Sequence, residues 1–206
     1  MKLGTTSWLT GENFLDNARL VEGQVDFVEL LVYTWNPEMR RKVASWLDGL
    51  AALALEYTVH LPTDTAANAL AAARFFVESG FPLGNMTLHP LPGWREMDWP
   101  ALVAVENLTD QVVYHPRITF DLTHSLLGTP FPWAFAPYVV ELHLSGTDGE
   151  TDHLPLDPNT LAQARPWLRE GLWVCMEIFD PDAALDAVAQ VRGLGSVQGE
   201  DAVSGS

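Results

Sequence analysis

A chain of 206 residues with 48% hydrophobic side chains and eight tryptophans can bury one substantial core, so extensive disorder is excluded and a single domain is expected. Its 27 acidic residues against 11 basic ones leave a formal charge of -16, which repels polyanions and argues against a nucleic-acid partner. The lone Cys175 rules out an internal disulfide, the start carries no secretory apolar stretch, and no apolar run reaches the roughly 18 residues of a membrane span. The expectation is therefore a soluble protein of a reducing cytoplasm, acting on a small molecule, with no membrane partner.

Hydrophobic runs of strand length alternate with helical patterns along almost the whole chain. Strands are expected at residues 3–8, 25–33, 57–61, 86–90, 102–107, 118–122, 139–144 and 172–179. Helices are expected at 12–21, 37–55, 65–78, 159–170 and 182–191, with Pro37 and Pro181 in first-turn positions and Gly80, Gly171 and Gly193 as stops. The connections 93–100 and 109–116 hold at most a turn, and 125–138, with three prolines, reads as a loop with one short helix. Strand, crossover and parallel strand in repeated order give an α/β chain folded as a compact (β/α)8 TIM barrel over residues 1–192, with shortened fourth and fifth βα connections. The rival, an open doubly wound sheet, would be expected to carry a Gly-rich phosphate loop near its first strands, and none is present. Residues 193–206, rich in Gly, Ser and acids, read as a flexible C-terminal tail.

In such a barrel the functional groups sit where strands end. The third expected strand ends at His60, the fourth at His89 and the fifth at Glu106. The sixth ends at Asp121 with His124 just beyond, the seventh at His143 with Asp152 and His153 in the loop that follows, and the eighth at Glu177. Only His115, of six histidines, lies in an ordinary loop. Taken singly, a strand-end histidine is more often a hydrogen-bonded core or loop group, and a carboxylate as readily caps a helix or pairs with an arginine. Gathered around one mouth, so many imidazoles and carboxylates are costly to bury unless a cation compensates them. One to three divalent metal ions, Zn or Mn, are expected there from the nitrogen and oxygen donors. Glu29 shares its pleat parity with Phe27 and Leu31 and should point into the barrel. Glu29, Trp94 and Trp99 are candidate substrate contacts, with a buried paired acid as the alternative for Glu29 and a lid or simple packing for the tryptophans. Cys175 reads as barrel filling.

The motifs HLP at His60, LHP at His89, VEN at Glu106, DLTH at Asp121 and His124, HLSG at His143, DHLPL at Asp152 and His153, and MEIF at Glu177 form an ordered set. That set resembles the xylose-isomerase-like barrel superfamily, which includes apurinic-endonuclease-type nucleases and many sugar isomerases and epimerases. Within it, GTTSW at 4–8, DFVELLVY at 26–33, YTVHLPTD at 57–64, VENL at 105–108 and the spaced HLSG and DHLPLD are similar to cobamide-remodelling phosphodiesterases. The resemblance implies His60, His89, Glu106, Asp121, His124, His143, His153 and Glu177 as ligands of up to three zinc ions. There is one departure. The nuclease-type loop has Asp, one residue, then His, whereas here Asp152 directly precedes His153, which leaves open whether Asp152 is a ligand.

The main functional reading is a metal-dependent phosphodiester hydrolase acting on a small molecule, in the finest form the nucleotide loop of a cobamide, with Glu106 and Glu177 in the catalytic centre. The alternative is a sugar isomerase or epimerase that needs one metal, held by Glu106, Asp121, His143 and Glu177, with the two glutamates passing a proton at carbon. A third reading is a barrel that binds metal or corrinoid without turnover. His60, His89 and His153 discriminate, since a one-metal isomerase has no obvious use for them. Oligomeric state is not legible in the sequence.

Overall fold

Eight short, largely apolar runs supply the strands. They are β1 (Lys2–Thr6), β2 (Phe27–Leu31), β3 (Glu56–His60), β4 (Asn85–Leu88), β5 (Val103–Glu106), β6 (Ile118–Asp121), β7 (Val139–Leu144) and β8 (Trp173–Met176). In the computed structural model, which describes residues 1–197, they pair in parallel and in chain order and close through β8 and β1 into one barrel. The expected (β/α)8 architecture is the one observed.

Strand periodicity sorts the side chains onto two faces. Val28, Leu30, Tyr57, Val59, Met86, Leu88, Val105, Phe120, Leu142 and Val174 belong to the continuous apolar core between barrel and helices. The opposite parity carries Glu29, Thr58, Asn85, Thr87, Thr119, Glu141 and His143, all buried. Branched apolar side chains usually fill this interior; here a hydrogen-bonded network does. Thr58 Oγ1 donates to Glu141 Oε1 at 3.0 Å, Asn85 Nδ2 donates to Glu141 Oε2 at 2.7 Å, and the hydroxyls of Thr87 and Thr119 meet at 3.0 Å. An aromatic floor closes the amino-terminal end, where Phe27 packs edge-on against Trp173 with ring centroids 4.9 Å apart. A Cβ on residue 4 would lie 2.6 Å from the Phe27 ring and from its carbonyl oxygen, so Gly4 is what admits that ring.

The helices are α1 (Phe14–Val21), α2 (Pro37–Ala51), α3 (Ala66–Ser79), α4 (Leu122–Leu127), α5 (Pro158–Ala164) and α6 (Pro181–Val197). Side chains of Asn13, Asn36, Thr65, Asp121 and Asp157 accept hydrogen bonds from the free first-turn N–H groups of α1 to α5 in turn. The fourth connection holds a single 3-10 turn, Trp94–Glu96, and the fifth has no helix among the described residues. Three helix ends differ from expectation, the first being α2, which stops at Ala51 rather than 55. The last stretch of α5 gives way to a 3-10 turn at Arg165–Trp167, because Pro166 lacks the N–H that would continue the ladder. Conversely, α6 runs through Gly193 to Val197, since a glycine weakens a helix interior without ending it. Of the expected tail, residues 193–197 are thus helical and 198–206 lie outside the described residues. No described helix is long and apolar enough to cross a membrane.

Gly4→Ala is expected to lower the unfolding free energy by about 1–3 kcal/mol through overpacking of the floor. Urea unfolding followed by circular dichroism reads this directly, and an unchanged midpoint would show that Phe27 moves aside freely.

Candidate metal centre

The carboxyl ends of the strands place Glu106, the last residue of β5, at the middle of the site, 1% exposed. Its Oε2 lies 2.9 Å from His89 Nε2 and 3.2 Å from His60 Nε2, while its Oε1 lies 2.9 Å from His143 Nδ1. Two ligand groups therefore share this one carboxylate. His60, His89 and Glu106 each offer a donor atom within 4.8 Å of the others, and so do Glu106, Asp121, His143 and Glu177.

A third constellation lies nearer solvent, across the ends of β6 and β7. Asp152 sits between two imidazoles, its Oδ2 3.6 Å from His124 Nε2 and its Oδ1 3.6 Å from His153 Nε2. His153 has φ of 56°, in the left-handed region that a side chain rarely occupies. That turn is held by paired backbone hydrogen bonds between Gly146 and Leu154, and a Cβ at residue 146 would stand 1.9 Å from the Pro155 carbonyl oxygen. Glycine at that position is what lets the loop close, and the displaced Asp152 still reaches both rings.

The imidazoles are oriented from behind. His60 Nδ1 lies 3.1 Å from the Leu61 carbonyl, His124 Nδ1 2.9 Å from that of Asn107, and His153 Nδ1 3.0 Å from that of Glu177. A carbonyl can only accept, so Nδ1 carries the proton in each case, and the neutral ring has its lone pair on Nε2. Each of these Nε2 atoms faces a carboxylate oxygen, which also offers only lone pairs. Such a pair needs either a second ring proton or a cation between the two, and histidines tied through their other nitrogen are the usual metal ligands. The donor set thus fits divalent cations.

The electrostatics agree. Burial disfavours charge on His60, but the hydrogen bond to Glu106 and the charges of Glu106, Glu29 and Glu177 outweigh it and push the ring up to about 9. Burial likewise opposes ionisation of Glu106, yet His143, followed by hydrogen bonds from His143, His60 and His89, holds it well below the usual carboxylate range. Burial also opposes Glu177, but His143 brings it down to about 2. Asp121 behaves differently, raised by burial to about 7 with only partial relief from His124. Its Oδ1 caps α4 by accepting from the His124 N–H at 2.7 Å.

Of the expected substrate contacts, Glu29 is wholly buried and lies under the ligand cluster, its Oε1 3.2 Å from His143 Nε2. Trp94 belongs to the apolar core, and its carbonyl accepts from Trp99 Nε1 at 2.7 Å. Both tryptophans brace the fourth connection. Two features escaped the sequence reading. Asn107 clamps the backbone of Asp121, donating to its carbonyl at 2.9 Å and accepting from its N–H at 2.8 Å; its place beside Glu106 in the VEN motif was the available signal. The rim is also aromatic. Trp8, 40% exposed, meets Tyr33 at 5.1 Å and Phe179 at 6.4 Å between ring centroids, and Phe179 meets His153 at 4.7 Å. The Tyr33 hydroxyl is pushed up by burial and then by Glu177, Glu29 and Glu106, which puts it within their field.

No protein-family model matches the chain, and a search of curated proteins found no match. Solved structures do match in fold. A D-tagatose 3-epimerase-like protein superposes with a TM-score of 0.69 at 14% identity, over 98% of this chain and 100% of the other. The apo form of 3-keto-D-glucoside 4-epimerase from E. coli gives 0.58 at 15% identity, over 94% and 99%. At such identities the likeness is one of fold, and it agrees with the barrel described above.

Below its raised pKa of about 9 the metal-free His60 holds a proton that an incoming cation must displace. Zinc affinity measured by calorimetry is therefore expected to climb between about pH 7 and 9, by up to roughly tenfold per unit for each proton displaced. In His60→Ala that climb should flatten; a wild-type affinity independent of pH over the same range would contradict the assignment.

Proposed function

We propose that the chain is a divalent-metal-dependent hydrolase of a phosphoric diester in a small molecule. One observation carries the reading: the two oxygens of Glu106 are turned to separate ligand groups, Oε2 to His60 and His89 and Oε1 to His143. His60, His89 and Glu106 would hold one ion, Glu106, Asp121, His143 and Glu177 a second, and His124, Asp152 and His153 a third. When bound, such ions supply Lewis-acid polarisation of phosphoryl oxygens and lower the pKa of water. Glu106 and Glu177, both held ionised, are acceptors that orient a proton-bearing nucleophile rather than acids that release a proton. Trp8, Tyr33 and Phe179 offer a flat ring of the substrate an apolar wall beside the cluster. The finer proposal, a cobamide nucleotide loop as the substrate, is supported by the sequence resemblance alone.

A second reading has its own support. Glu106, Asp121, His143 and Glu177 suffice for one metal, and the solved structures of similar fold are named as epimerases or epimerase-like. On fold likeness the epimerase is favoured; the reason to rank hydrolysis first is the donor set beyond those four residues, His60, His89 and His153.

Metal-loaded protein assayed against bis-p-nitrophenyl phosphate, adenosylcobamides and a ketose panel separates the readings. Phosphodiester cleavage is expected, falling to background in Glu106→Gln with an unchanged circular dichroism spectrum. Ketose turnover without phosphodiester cleavage would establish the second reading, and metal uptake with neither activity would leave a binding barrel.

A further inference from the structure

His143 is 0% exposed and has a carboxylate on each side. Its Nδ1 looks up into the ligand cluster, 2.9 Å from Glu106 Oε1 and 3.4 Å from Glu177 Oε2. Its Nε2 looks down into the barrel, 3.2 Å from Glu29 Oε1. Unlike His60, His124 and His153, it has no backbone carbonyl hydrogen-bonded to its second nitrogen. That nitrogen and both oxygens of Glu29 are buried without an aligned hydrogen-bond partner, although Nε2 and Oε1 stand within reach of each other. Buried polar groups left in this state are rare and call for a reason.

Chemistry supplies one. An imidazole that gives the Nδ1 lone pair to a cation keeps its proton on Nε2, and that proton needs an acceptor. Two carboxylates share the space below the ring, Glu29 and Glu141. Glu141 is already committed, one oxygen to Thr58 and the other to Asn85. Glu29 alone of the two has both oxygens without a hydrogen bond, and it is wholly buried.

We propose that Glu29 is a positioning residue, which accepts the Nε2 proton of His143 and thereby turns the Nδ1 lone pair toward Glu106 and Glu177. This role rests on the metal reading above. It makes β2 a contributor to the centre from one layer down, although none of its side chains is a ligand.

Nitrogen-15 NMR of histidine-labelled wild-type protein, metal-free and zinc-loaded, tests the role without any substitution. The His143 Nε2 is expected to be protonated in both samples, with Nδ1 bare of protons once zinc is bound. Calorimetry should then show a loss of zinc affinity of about 10- to 100-fold in Glu29→Leu, with most of it recovered in Glu29→Gln, whose amide oxygen still accepts. Zinc uptake by wild-type protein with an unprotonated Nε2 would overturn this role alone, as would a folded Glu29→Leu of wild-type affinity. Wild-type protein that takes up no zinc would overturn the metal reading and this role with it.

Discussion

The burial of one carboxylate, Glu106, governs the upper half of the barrel. Taking an ion of this size out of water costs several kcal/mol even after relaxation, and the chain answers with three imidazoles within 3.2 Å of its two oxygens. Those imidazoles then require orientation. A backbone carbonyl fixes His60, as others fix His124 and His153 in the outer constellation. Glu177 and Asp121 crowd further negative charge into the same volume, and of the two only Asp121 is raised toward neutrality. A protein with no cation to place there would have little reason to assemble such a cluster.

The fold supports this concentration of polar groups by exchanging the usual roles of its layers. The continuous apolar core lies between strands and helices, with the Phe27–Trp173 floor below. The barrel interior between floor and mouth is hydrogen-bonded through Thr58, Asn85, Thr87, Thr119 and Glu141. Because five of the six donor residues of the two deep groups end or directly follow a strand, and the sixth, His143, is next to last in its own, their positions are set by a closed sheet rather than by loops. Only the outer constellation depends on loop geometry, through the left-handed turn at His153 and the close approach at Gly146.

The barrel and the gathering of candidate ligands at its mouth were legible because strand periodicity has two residues and strand ends are marked by a change from apolar to ionisable side chains. Thus Val-His60, Val-Glu106 and Phe-Asp121 read correctly as strand ends, and His89 falls one residue past the end of its strand at Leu88. Depth was not legible. Glu29 and His60 have the same inward parity, but the parallel register sets Glu29 level with Thr58, one inward position below His60. Parity alone therefore made Glu29 a substrate contact, and pairing made it a buried partner of His143. Trp94 and Trp99 carry no periodic signal, and only the packing of their short connection shows that they brace it. The reach of Asp152 depended on a left-handed turn at His153, a residue type that gives no signal for one.

The central claim is that Glu106 joins two metal positions. Crystals grown with zinc and measured above and below the zinc absorption edge would locate the ions by anomalous scattering. Two peaks are expected flanking Glu106, one beside Oε2 with His60 and His89 and one beside Oε1 with His143 and Glu177. A single peak with His60 and His89 left unliganded, or no peak in contact with Glu106, would contradict the account.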